Sequence, residues 1–361
     1  MKKLIGALLC LLLVFSFAYG DESTDSAGFV VVDDEDEEFV EFPVIEPVME
    51  VTITFGGDAV LGTREAWWDE EDAFPAYLMA NSMSYPFSGL EHIFREDDMT
   101  MINLECVLKD TRSGEMTTKQ YRFRGLPEYT EILTSSSIEQ VNIANNHHID
   151  YRLAGRNATR TALEAAGIPY SGYTYTYVWQ HRGVRIGFAG CRETIWKQNR
   201  QIISEEADAL RAAGCDVIIY SCHWGTEYSP YHNETQMEMA QAAAKAGVDI
   251  LIGTHPHVVQ GLDDVDGTVV LWSLGNLMFG GTIEMSTFDA ALARITLCFQ
   301  QQRYTGCRVE LIPILTSGKA HEGVNDYRPV PAEGDDYSRI LMKIKQDSGV
   351  TLQQGMFFPA R

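Results

Sequence analysis

The chain has 361 residues, 45% of them hydrophobic, enough for one large domain or two small ones with a sizeable core. Its formal net charge of -23 excludes nucleic acid as a partner, because phosphate binding needs surfaces rich in Lys and Arg. At the amino terminus, Lys2 and Lys3 precede an almost wholly apolar run from Leu4 to Phe17, and Ala18-Tyr19-Gly20 offers small residues for cleavage before Asp21. Residues 1–20 therefore read as a signal peptide. The rival reading is an uncleaved anchor, since the run approaches spanning length. Cys10 lacks the small residues that precede a lipidated cysteine. Either reading makes the protein exported, extracellular or attached to the outer face of the cytoplasmic membrane.

Residues 21–50 hold twelve acidic side chains and no Lys or Arg, centred on Asp33 to Glu38. Such a block repels itself and reads as a disordered linker. Six cysteines lie beyond it, and export permits disulfides. Cys298 and Cys307 flank a polar stretch and can pair across a hairpin, while buried thiols are at least as common an outcome.

Val51 to Phe55 is the first β-rich run and leads into Gly56-Gly57-Asp58. The spacing predicts a helix over 88–96, then a strand from Met99 to Asn103 followed by Leu104-Glu105. Residues 110–126 form a polar loop carrying Lys119, Arg122 and Arg124, and Pro127 opens a helix over 127–137. Gln140 to Ala144 reads as a strand that runs into Asn145-Asn146-His147-His148-Ile149-Asp150. Helices are predicted over 153–166, 200–213 and 234–246, each followed by glycine. Strands are predicted from Gly183 to Ala189 and from Asp216 to Ser221, the latter leading to Cys222-His223-Trp224-Gly225.

Ile250 to Ile252 is a buried strand ended by Gly253, and His255 and His257 follow on a loop around Pro256. Proline pushes the residue before it toward extended backbone, where positions i and i+2 face one side. Both imidazoles are thus expected to face one point. Thr268 to Trp272 is followed by Ser273-Leu274-Gly275-Asn276, and further β-rich runs lie near 289–299 and 306–315. The alternation predicts one α/β domain over 51–320, finished by antiparallel strands. Residues 321–361 carry no motif and are expected to be a C-terminal extension.

Asp58, Asn103, Glu105, Asn146, His147, His223, His255 and His257 all lie within a few residues of a strand's carboxyl end. Alone, Asp58 is a turn cap, Asn145 and Asn146 are turn residues and His223 is a packed core histidine. Together they form a set of carboxylate, amide and imidazole groups that suits Mn, Fe or Zn.

These blocks resemble the CapA family of bacterial poly-γ-glutamate capsule synthesis proteins. The resemblance rests on Gly57-Asp58, Asn103-Leu104-Glu105, Ala144 to His147 with Asp150, His223-Trp224-Gly225, Gly253 to His257 with Gln260, and Ser273 to Asn276 with Phe279. It covers roughly residues 51–315. It implies kinship with calcineurin-like metallophosphoesterases, and so a four-layer α/β/β/α sandwich holding one or two divalent ions.

The implied ligands are Asp58, Glu105 in a bridging place, Asn146, His223, His255 and His257. His147 is the implied proton donor to a leaving group and Asp150 its orienting carboxylate. Asn103, Asn145, Arg122 and Arg124 are candidate substrate contacts, the arginines for an anion, although a solvated loop is the commoner fate of such residues. One departure stands out: Val60 occupies the place where metallophosphoesterases usually carry a histidine. The implied function is synthesis, export or anchoring of an anionic capsule polymer by metal-assisted hydrolysis or transfer. The alternative is a non-catalytic accessory of a membrane-bound polymer synthase.

Overall fold

The computed structural model describes residues 48–353 and 355–361. The signal peptide and most of the acidic linker expected from the sequence lie outside the described residues. The first strand, Met49–Val60, begins two residues before the expected domain boundary because Met49 and Glu50 already pair with Phe299 and Cys298.

Two sheets make the frame. The first has nine strands and is centred on Met49–Val60, which runs parallel to Met99–Leu104 on one side and antiparallel to Asp289–Gln300 on the other. Gln140–Asn142 and Tyr170–Ser171 extend it on the parallel side, and Arg303–Leu315 on the antiparallel side. The second sheet has six strands. Its parallel centre is Val184–Arg192, Val217–His223, Ile250–Thr254 and Thr268–Leu271, with antiparallel strands Tyr177–His181 and Leu262–Val265 at its edges.

Alternation along the strands explains the layering. In Val217–His223, Val217 and Ile219 join the core between the sheets with Ile53, Phe55, Met101 and Ile295. Ile218, Tyr220 and Cys222 face the other way, into a core with Ile203, Leu210, Met239 and Ala243 of the helices Ile202–Ala212 and Glu234–Lys245. On the far face of the first sheet, Leu104, Val141 and Ile143 pack with Ile132 and Leu163 of Thr130–Thr134 and Arg152–Ala165. The result is a four-layer α/β/β/α sandwich, which a chain adopts when strands buried on both faces need helices to cover them.

Local signals account for most boundaries. Asn233 and Gln236 form a reciprocal capping box at the start of Glu234–Lys245. Gly214 and Gly247 end their helices at φ of 79° and 77°, a left-handed turn that glycine takes without steric cost. The helix expected over 88–96 shrinks to Glu91–Phe94, and that over 127–137 to a 3-10 turn, Pro127–Tyr129, followed by Thr130–Thr134.

Of the two alternatives for Cys298 and Cys307 the buried thiols hold: both are free, as are the other four cysteines beyond residue 47. Cys298 sits opposite Gly306 and Cys307 opposite Leu297, so alternation sends the two thiols to opposite faces. Residues 321–361 are built into the sandwich rather than appended to it. Met356–Pro359 pairs with Arg303–Leu315, and the helix Gly334–Gln346 buries Ile340 and Ile344 against Val259, Ala291 and Leu315. Ile340→Ala should therefore lower the unfolding free energy by about 3 kcal/mol, as truncation of a packed core isoleucine does. Urea unfolding monitored by circular dichroism checks this, and an unchanged midpoint would show the helix to be dispensable.

Candidate metal centre

The site is built where the carboxyl ends of strands from both sheets meet, rather than along the rim of one sheet. It starts at Gly57. A Cβ there would fall 2.0 Å from the Gly275 carbonyl oxygen, and its absence lets the Asp58 amide donate to that oxygen at 3.0 Å. Pairing registers shift on both sides of Asp58, between Phe55 and Asp58 and between Asp58 and Ala59. Such irregularities re-aim side chains next to functional sites. Asp58 is fully buried in the cluster, while Val60 is turned into the apolar core beneath the first sheet's helices.

Asp58 is well supplied with partners. Its Oδ1 accepts from Asn103 Nδ2 at 2.7 Å. Its Oδ2 accepts from the His255 amide at 3.0 Å and lies 3.2 Å from His257 Nδ1. Burial pushes its carboxyl up, but the hydrogen bond and charge of His257 hold it below the ordinary value. For His257 burial opposes protonation, and the Asp58 contact outweighs it and raises the imidazole.

Glu105 is the opposite case. It is fully buried, neither carboxylate oxygen has a hydrogen-bond partner among the described residues, and burial together with the Asp58 charge pushes it well above its ordinary value. An unpartnered buried carboxylate is costly unless a cation completes it. The ligand atoms of Asp58, Glu105 and His257 lie within 4.8 Å of one another, and so do those of Glu105, His223 and His255. Glu105 belongs to both groups.

The histidines are poised as ligands. His223 Nδ1 is 3.0 Å from Thr254 Oγ1, which turns Nε2 toward Glu105 Oε1 at 3.4 Å and Asn146 Oδ1 at 3.0 Å. Burial and the neighbouring His255 push the His223 imidazole well down, and burial and His257 bring His255 to about 4. Both are neutral near pH 7, the form that binds a metal. His257 Nδ1 is 2.9 Å from Asn276 Oδ1, and His255 Nδ1 is buried without a hydrogen bond among the described residues. Orienting bonds of this kind fix which ring nitrogen faces an ion. The donor set thus fits a divalent cation.

The route that brings His255 and His257 together differs from the one expected. His255 has φ of 99° and His257 φ of 58°, so neither is extended. Strained backbone of this kind persists only where its surroundings hold it. Here the His255 amide is tied to Asp58 and the His257 ring to Asn276. The two rings end 5.9 Å apart, with His223 4.5 Å from His255.

His147 stands beside the cluster. Its Nδ1 is 2.6 Å from Asp150 Oδ2, its ring packs 4.3 Å from that of Phe123, and it borders a cavity of about 310 Å³ that also reaches His257. Burial pushes its imidazole down, and Asp150 only partly opposes this. Asp150 is held by Lys119 and by the Phe123 amide at 2.8 Å. Lys119 also donates to the Asn146 carbonyl at 2.9 Å.

The four candidate substrate contacts are placed elsewhere. The Asn103 amide spends its Nδ2 on Asp58 and its Oδ1 on Asn142 and Asn145, each at 3.1 Å. Asn145 also donates to the Leu104 carbonyl at 2.7 Å and accepts from the His147 amide at 3.1 Å. Both are buried braces for the ligands. Arg124 is buried against Glu65 at 2.5 Å, and Arg122 is paired with Glu115 at 2.8 Å. Their guanidinium groups are already occupied. Thr254, Asn276 and Lys119 were not foreseen in their roles, although each lies in a stretch the sequence singled out; Glu227, whose carboxylate lies within 4.8 Å of ligand atoms of His255 and His257, left no signal.

If Glu105 bridges bound cations, Mn or Zn should raise the melting temperature, by an amount equivalent to about 3 kcal/mol when free ion exceeds its Kd a hundredfold. Glu105→Gln should abolish that rise without lowering the metal-free melting temperature. A wild-type protein indifferent to both ions would remove the metal centre.

Comparison with known proteins places this cluster in context. Residues 52–281 match the family described as Bacterial capsule synthesis protein PGA_cap. The PGA biosynthesis protein CapA of Bacillus subtilis (strain 168) is 28% identical over 291 residues, 73% of this chain and 71% of that protein. The capsule biosynthesis protein CapA of Bacillus anthracis is 26% identical over 274 residues, 68% of this chain and 64% of that protein. Among solved structures, a hypothetical protein from Thermus thermophilus is 14% identical, with 73% of this chain and 99% of that chain covered at a TM-score of 0.43. The family match takes in Asp58, Glu105, Asn146, His147, His223, His255 and His257 together, and the chain belongs to the PGA_cap family of bacterial capsule synthesis proteins.

Proposed function

We propose that this is an exported protein that acts in the synthesis, export or anchoring of an anionic capsule polymer such as poly-γ-glutamate, by metal-assisted hydrolysis or transfer. The observation that carries the catalytic part is Glu105, a fully buried carboxylate with no hydrogen bond among the described residues, shared between two groups of histidine and carboxylate ligands. Asp58, Glu105, Asn146, His223, His255 and His257 would hold one or two ions of Mn, Fe or Zn. When bound, such an ion supplies Lewis-acid polarisation of the scissile bond and makes water more acidic. Family membership supports the capsule setting, and the first twenty residues support export. Membrane-bound synthase subunits are the partners this setting calls for.

The remaining chemistry falls to His147. With Nδ1 tied to Asp150, Nε2 is the ring nitrogen left to exchange a proton with substrate. Because burial keeps the imidazole neutral, His147 first takes a proton at Nε2 from the attacking water and then delivers it to the leaving group. Asp150 steadies the imidazolium formed in between, and Lys119 holds Asp150 in place. The bond broken is a phosphoester or an amide.

The accessory reading has one observation in its favour. Val60 is fully buried among apolar side chains at the position where a catalytic relative would carry a histidine ligand, so the donor set is short by one.

His147→Ala separates the two readings. It should abolish turnover of phosphoesters and γ-glutamyl oligomers while bound metal, measured by elemental analysis, stays at the wild-type level. Equal turnover in the variant would take His147 out of the mechanism. A metal-loaded wild type that cleaves neither class would favour the accessory role.

A further inference from the structure

The cavity beside the metal centre has aromatic walls, including Tyr121, Phe123 and Phe279, and it reaches His147 and His257. Arg64 lies in the same lining. Its guanidinium carbon is 3.1 Å from the centre of the Trp67 ring and 5.5 Å from that of Tyr121. Stacking of this kind holds a guanidinium flat and leaves its N–H edge free to bind.

Arg64 has no anionic partner among the described residues, and its Nε is buried without a hydrogen bond. This contrasts with its neighbours in a chain that carries 51 acidic and 28 basic residues. Glu65, next in sequence, is taken by Arg124 at 2.5 Å, Tyr151 at 2.6 Å and Arg112 at 3.3 Å. Arg122 is taken by Glu115. Burial bears against the Arg64 cation, Tyr121 partly opposes this, and the charge of Arg122 adds to it. Nε is closed to solvent, so it is the terminal N–H groups, which make no hydrogen bond among the described residues, that an incoming oxyanion would meet.

We propose that Arg64 anchors an oxyanion group of the substrate, a carboxylate or a phosphate, and so presents the adjoining bond to His147 and the metal ligands. The choice of reacting groups rests on the function proposed above; the anion site itself does not. The aromatic walls suit an anion carried on an aliphatic or aromatic stem. Glu227 and Glu284 also line the cavity, both exposed, so an entering anion must be gripped by something stronger than their screened repulsion. The two-pronged contact of a guanidinium with an oxyanion meets that need, and an ammonium in its place would not reproduce it.

Titration calorimetry on the purified full chain tests this with two probes, tetra-γ-glutamate and phenyl phosphate. The proteins compared are wild type, Arg64→Gln, Arg64→Lys and Arg122→Gln, each first shown to melt at the wild-type temperature. Arg64→Gln should weaken binding of the recognised probe by about 10- to 100-fold, Arg64→Lys should recover only part of that loss, and Arg122→Gln should leave binding unchanged. The α-amide form of tetra-γ-glutamate should bind wild type as poorly as the acid form binds Arg64→Gln. Arg64-dependent binding of tetra-γ-glutamate supports both the anchor and the capsule-polymer reading. Arg64-dependent binding of phenyl phosphate alone supports the anchor and overturns the polymer reading. Binding that ignores Arg64, or no binding of either probe to wild type, overturns the anchor. An Arg64→Gln protein that unfolds is replaced by Arg64→Lys, whose full wild-type affinity would overturn the two-pronged contact.

Discussion

Two carboxylates, Asp58 and Glu105, are buried within reach of each other, and the rest of the site follows from how their charges are met. Asp58 is satisfied from within the chain by Asn103, His257 and the amide of His255. Glu105 accepts no hydrogen bond among the described residues, its nearest cation-capable neighbour being His223 at 3.4 Å. A protein keeps such a group only where something else completes it, and the surrounding imidazoles leave a divalent cation as the natural answer.

That constraint reaches into the fold. Asp58, Glu105 and Asn146 come from the first sheet, and His223, His255 and His257 from the second. Their mutual distances depend on how the two sheets pack over the core of Ile53, Phe55, Ile219 and Ile252. The asparagines that brace the cluster, Asn103, Asn142 and Asn145, are buried at neighbouring strand ends of the first sheet and fix the spacing between them.

Much of this is legible in the sequence because strands with both faces buried announce themselves as short apolar runs, and the chemical residues follow those runs. Val217 to His223 and Ile250 to Thr254 are examples. The reading fails where a side chain's partner is remote. Arg124 reads as a free loop cation, but Glu65, 59 residues earlier, claims it. Pro256 argues for extended backbone at His255, and a hydrogen bond to Asp58, 197 residues away, decides otherwise. Cys298 and Cys307 have the spacing to pair, and only the register puts them on opposite faces. The helix Gly334–Gln346 carries its buried residues on a narrow stripe, Ile340 and Ile344, too sparse to stand out.

The pairing of Met49–Val60 with Asp289–Gln300 bears on how the molecule comes to be folded. The strand at the heart of the first sheet is made early, and one whole side of it waits for a distant partner, as Thr52 waits for Thr296, 244 residues later. The sheet cannot close until nearly all of the polypeptide has emerged. Until then its central strand keeps an open edge, and contacts this remote in sequence form slowly. The second sheet, by contrast, draws all its strands from Tyr177 to Leu271, so the order of synthesis completes that layer before the one that holds Met49–Val60.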